Sequence, residues 1–220
     1  MGDTVFLFTS FCYNKKDSME RGLCMIKITH MRFAAIIFLC LMILAGCSTG
    51  SKIPKALNWD IADFQYINQN GESYGLKDLK GKVWVADFMF TNCTTVCPPM
   101  TANMARLQKM AKEEKLDVQF VSFSVDPTVD KPDVLKTYIQ KYTTDTNNWA
   151  LLTGYSQEEI EQFAKESFQT LVDKPDSTNQ VVHGTSFYLV DQNGKVMKKY
   201  SGVSNTPYED IVRDIKRLLR

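Results

Sequence analysis

The run Lys82–Phe90 (KVWVADFMF) does most to limit what this chain can become. It is largely apolar and rich in β-formers, the pattern of a strand covered on both faces in the middle of a layered sheet. Pro98-Pro99 follow closely and open a helix, since proline is tolerated in the first turn, where its missing N–H is needed least. Met100, Met104, Leu107 and Ala111 then recur at three- and four-residue steps, giving that helix one apolar face. Met100, Met104 and Met110 share this helical spacing, so they read as core side chains rather than as thioether metal ligands.

The alternation continues along the chain. Val118–Val125 predicts a second buried strand, ending at Asp126-Pro127, and Lys131–Tyr142 a helix with Pro132 near its start. Trp149–Leu152 predicts a short strand, and Ser156-Gln157-Glu158-Glu159 a capping-box start to another helix. Ser167–Gln180 reads as a polar loop. Ser186–Val190 and Val196–Tyr200 form a hairpin across Gln192-Asn193-Gly194, and Pro207–Leu219 a closing amphipathic helix. Upstream, Phe64–Ile67 with the Asn70-Gly71 turn predicts a hairpin-like N-terminal β extension. Strands separated by helices define an α/β layered sheet. Sites in such sheets form beyond the carboxyl ends of the parallel strands, and Cys93 lies there, after the Lys82–Phe90 strand.

The first fifty residues bear on compartment. Met31-Arg32 precede an apolar run, Phe33–Ala45, of signal-peptide length and short for a membrane span. It ends in Leu44-Ala45-Gly46-Cys47, the form of a bacterial lipobox, which predicts a signal peptide over 31–46 and a lipidated Cys47. Residues 47–58 are then a polar tether, and residues 1–30, upstream of a complete signal, read as a start-site artefact or an extension outside the fold. The expected location is the extracytoplasmic face of the cell membrane, held by acyl chains. Processing leaves Cys93 and Cys97 as the free sulfurs, His183 as the sole histidine, and 21 basic against 22 acidic side chains. So even a balance excludes the basic surface that nucleic-acid binding needs.

A disulfide across three intervening residues would contribute only about 2 kcal/mol by chain entropy. A domain of about 160 residues builds enough core not to need it. The pair therefore reads as chemical. Both sulfurs should lie near a helix N-terminus, where the dipole favours thiolate, with Pro98 disfavouring a helical conformation at Cys97 itself. Thiolates are soft ligands for Cu(I), zinc or iron–sulfur clusters, and two of them also serve disulfide exchange. The spacing does not separate these uses. His183 adds an imidazole, giving a set that suits copper in either oxidation state and leaves zinc one ligand short of a closed site. Asp126 and Asp130 read as turn and cap residues, and Asp126 is also a candidate to orient His183 by a hydrogen bond.

Three segments carry a family resemblance: FMFTNCTTVCPPM (Phe88–Met100), SFSVDPTVDKPDVLKTY (Ser122–Tyr138) and VVHGTSFYLVDQNGK (Val181–Lys195). Together they resemble the Sco/SenC copper proteins, over nearly all of residues 59–220. The resemblance implies a thioredoxin-like fold, a central mixed sheet flanked by helices, and copper held by Cys93, Cys97 and His183. It implies a role in assembling the dinuclear CuA centre of cytochrome c oxidase, with the CuA-bearing subunit as partner. Cys93 and Cys97 would be redox-active, a thiol reductant their second partner, and a disulfide between them would expel the metal. The chain departs from thioredoxins proper in having one more residue between the cysteines and no proline at Gly184-Thr185-Ser186. Competing expectations are a thiol-disulfide reductase acting on the oxidase cysteines, a peroxiredoxin-like peroxidase with Cys93 attacking and Cys97 resolving, and a redox sensor.

Overall fold

A computed structural model describes residues 53–175 and 177–220. The expected signal peptide, Cys47 and residues 1–52 lie outside them. The chain runs β1 (Trp59–Asp60), β2 (Gln65–Asn68), β3 (Ser73–Gly75), a 3₁₀ turn (Leu76–Leu79), β4 (Val83–Met89), α1 (Cys97–Glu113), β5 (Val118–Ser124) and α2 (Pro132–Ile139). It continues with β6 (Trp149–Thr153), α3 (Gln157–Phe168), β7 (Val172–Asp173), β8 (Val182–His183), β9 (Ser186–Val190), β10 (Lys195–Ser201) and α4 (Tyr208–Leu218).

The main sheet has the order β1-β10-β9-β4-β5-β6-β2-β3. Its centre is parallel, with Val83 opposite Val118 and Met89 opposite Ser124, while β9 lies antiparallel to β4 on the other side. Every residue of β4 is buried, as its composition requires. A mixed sheet results, with β2 and β3 forming the expected N-terminal hairpin beyond β6. Met100, Met104, Leu107 and Ala111 are all sealed in the core, so the first two methionines pack rather than ligate. Burying each such apolar side chain stabilises by about 1.5–3 kcal/mol. Met110 lies partly buried against the same core.

Capping at α3 is reciprocal: Glu159 N–H donates to Ser156 Oγ (3.1 Å), and Ser156 N–H donates to Glu159 Oε2 (2.7 Å).

Three local expectations are corrected. Cys97 is the first residue of α1, not part of the turn before it. Pro98 and Pro99 occupy first-turn positions whose N–H groups have no intrahelical acceptor, so the helix can begin one residue early. The segment expected as a polar loop contains β7, paired with β8 through Val172↔His183 and Asp173↔Val182. Strands of two residues have no periodicity to betray them, but Val172 and Val181 are buried and seat this arm on the core. Finally, the end of the expected tether already belongs to the domain. Ile53 is buried, and Leu57 N–H donates to Met197 O at 2.9 Å.

Candidate metal centre

The cysteine loop starts where β4 ends. Cys93 N–H turns back onto Phe90 O at 3.3 Å. Four residues later Cys97 opens α1, and its N–H donates to Cys93 Sγ at 3.3 Å. The Cys93 sulfur thus receives a donor from the positive end of a helix, the environment that stabilises thiolate. Both side chains are buried and both are free thiols, so the disulfide between them is not formed here.

His183 comes from β8, on the arm that crosses the same edge. Its Nε2 stands 3.3 Å from Cys97 Sγ. Its Nδ1 lies 3.0 Å from Gly184 O, which can only accept, so Nδ1 carries the proton and Nε2 keeps its lone pair toward the sulfurs. Phe90 packs edge-on against the imidazole, centroids 5.7 Å apart. At Gly184 a Cβ would fall 2.2 Å from Thr170 Oγ1, so a larger residue there would force that hydroxyl aside.

The three side chains differ electrostatically. Burial raises the Cys93 thiol, but hydrogen bonds from the Cys97 thiol and from backbone groups of Cys97, Thr95 and Val96 outweigh it, leaving Cys93 below its ordinary value. Cys97 is pushed well above, by burial first and then by the hydrogen bond to Cys93 and the nearby Cys93 and Asp87 charges. Burial lowers His183, against the opposing effect of Gly184 O, which favours the neutral imidazole that ligates metals.

Two further residues stand differently from the sequence reading. Asp126 does not orient His183 directly. Its Oδ1 accepts from Lys174 Nζ at 2.6 Å and from Thr128 Oγ1 at 2.8 Å, while the imidazole bonds its own neighbour. Asp87 was hidden within the apolar run. It is fully buried on β4 and accepts from Ser122 Oγ at 2.6 Å, while its Oδ2 has no partner. Burial, moderated by the Ser122 bond, pushes it up to about 7. A lone carboxyl inside a strand buried on both faces was the available signal.

Three donors around one ion, each at about 2.0–2.3 Å, must lie within about 4.6 Å of one another. The Cys93, Cys97 and His183 ligand atoms all lie within 4.8 Å of one another. Two sulfurs and a neutral imidazole are a soft set suited to copper, and sub-ångström closure would seat an ion.

An α/β sheet that presents a dithiol and a neutral imidazole at the carboxyl edge of its central strand defines a thioredoxin-like protein with a candidate metal centre. The SCO1/SenC family model matches residues 57–220, and the chain belongs to this family. Its structure resembles that of a SCO1/SenC family lipoprotein from Bacillus anthracis, at 74% identity and TM-score 0.75, covering 76% of this chain and 99% of that one. It also resembles BsSco, a member of the Sco family of cytochrome c oxidase assembly proteins, at 53% identity and TM-score 0.71, over 76% and 97% of the two chains. ScoI of Bradyrhizobium japonicum, solved with copper bound, matches at 28% identity and TM-score 0.60, over 72% and 99%.

Proposed function

We propose that this protein binds copper through Cys93, Cys97 and His183 and serves assembly of the CuA centre of cytochrome c oxidase. The observation that carries this reading is the convergence of three donors, two of them separated from the third by about half of the domain's sequence, within 4.8 Å. The copper-bound ScoI and the assembly role of BsSco support it by kinship. Copper is the cargo, and the chain's own contribution is a ligand set held ready at a surface edge. Cys93 supplies the more acidic sulfur, and His183 arrives with its Nε2 lone pair already directed inward.

The lipobox ending at Cys47 and the kinship with a lipoprotein support a lipid anchor on the extracytoplasmic face. No helix among the described residues is long and apolar enough to cross a membrane. Ile53 is buried, so the last part of the tether expected over residues 47–58 belongs to the domain. A lipid on Cys47 would keep the domain at the membrane that carries its partner, the CuA-bearing subunit.

The test is titration of the reduced protein with Cu(II), following sulfur-to-copper charge-transfer absorption. A band at one equivalent is expected, absent in Cys93→Ala and altered in His183→Ala; persistence in Cys93→Ala contradicts the reading. One observation favours a second role. The unequal thiols, Cys93 lowered and Cys97 raised, are the pairing that thiol-disulfide exchange uses. A reductase acting on the oxidase cysteines predicts normal oxidase assembly in His183→Ala and failure in Cys97→Ser.

A further inference from the structure

The ligands of the candidate centre come from two separate pieces of chain. The cysteine loop spans the gap between β4 and α1. The His183 arm rests on a two-stranded ladder of two residues each, too short to be stable alone. Its outer surface is exposed at Leu171 and Val182, so little apolar burial holds that side.

Both pieces are tied to the turn Asp126-Pro127-Thr128-Val129-Asp130, which follows β5. The turn closes on itself, Asp130 N–H donating to Asp126 O at 2.9 Å. One of its carboxylates reaches each piece. Asp130 accepts from Thr91 N–H at 3.2 Å, from the Thr91 hydroxyl, and from Ser124 Oγ at 2.6 Å. Thr91 lies two residues before Cys93. Asp126 accepts from Lys174 Nζ at 2.6 Å, and Lys174 also donates to Thr128 Oγ1 at 3.0 Å. Lys174 follows β7 directly, about 7 Å along the strand from Val172, the residue paired with His183.

The Asp126 side chain is 3% exposed and that of Lys174 23%. A carboxylate so desolvated needs its cation far more than a surface ion does, a property it shares with Asp214, which pairs with Lys198 and Arg217.

We propose that the Asp126–Asp130 turn is a bracket that holds the two halves of the ligand set in register, Asp130 fixing the cysteine loop through Thr91 and Asp126 fixing the His183 arm through Lys174. These are positioning residues; none touches the metal. This rests on the copper reading for its purpose, though not for its geometry. The bracket makes the third ligand conditional. With the Lys174 tie broken, Cys93 and Cys97 still present two sulfurs, but His183 no longer waits beside them.

The test compares wild type, Lys174→Met, Lys174→Arg and His183→Ala as full-length reduced proteins. Metal-free hydrogen exchange at the amides of Val172, Val182 and His183 is expected to quicken by about tenfold or more in Lys174→Met, while the amides of β4 and β5 keep wild-type rates. Cu(II) affinity should fall by about tenfold or more, the range for loss of a residue that supports a ligand. The nitrogen coupling in the electron paramagnetic resonance spectrum should weaken, and Lys174→Arg should restore both. Added to His183→Ala, the Lys174→Met change should cost no further affinity. Unchanged arm exchange, unchanged affinity, or an equal loss in the His183→Ala background would overturn the bracket. If the wild type took up no copper, the copper reading would fall, and the metal-free exchange alone would decide the bracket.

Discussion

Asp87 shows how one buried carboxyl shapes the behaviour of the fold. In the folded chain it stays protonated up to about pH 7, because burial penalises its charge more than the Ser122 bond favours it, whereas unfolded it ionises near 3.8. Its contribution to stability is therefore complete below about pH 4 and is lost as pH rises through 7. Asp87→Asn removes that slope. Relative to wild type, its thermal midpoint should gain little at pH 4, gain progressively up to pH 7 and then level off, with a stability difference of order a few kcal/mol. A flat difference across that range in a pH series of melts would contradict the assignment. Single residues were unevenly legible from sequence. Cys93, Cys97 and His183 stood out because processing leaves so few sulfurs and imidazoles. Asp87 did not, because an apolar run reads as uniform, and Lys174 did not, because a lysine in a polar stretch looks solvated.

At the scale of elements, the helix after the cysteines separates core from chemistry. Met104 is sealed under α1, so Met104→Ala should destabilise the fold by about 2–5 kcal/mol in denaturant unfolding while leaving copper stoichiometry unchanged. Loss of copper at full stability would instead restore the thioether reading. Elements with strong periodicity or continuous burial, β4, β5, β9, α1 and α4, were legible to within a residue or two. The β7–β8 arm was not, since it owes its place to tertiary ties rather than local pattern: buried Val172 and Val181, the Lys174–Asp126 pair and the Gly184–Thr170 approach. Helix α2 ends at Ile139, with turns Lys141 N–H→Tyr138 O and Tyr142 N–H→Ile139 O continuing where a longer helix was expected.

At the scale of the whole molecule, one sheet edge gathers candidate ligands from distant segments. If Cys47 carries the lipid, Cys47→Ala should move the protein from the membrane fraction to the soluble extracytoplasmic fraction, because the buried acyl chains would be its anchor. Retention of the variant in washed membranes would refute the lipobox assignment. The sheet's parallel centre followed from the alternation of strands and helices in the sequence and its outer hairpins from the Asn-Gly turns, while the antiparallel pairing of β9 with β4 had no local signal. The meeting of His183 with the cysteines is a property of topology: β8 lies far along the chain from β4 and reaches the same edge only once β9 docks beside β4.

X-ray absorption at the copper edge of the reduced, copper-loaded protein tests the central claim most directly. Two sulfur neighbours and a histidine nitrogen are predicted, at about 2.3 and 2.0 Å by analogy with zinc–thiolate and zinc–imidazole bonds, with the imidazole scattering lost in His183→Ala. A first shell of nitrogen and oxygen alone, or a spectrum indifferent to His183, would contradict it.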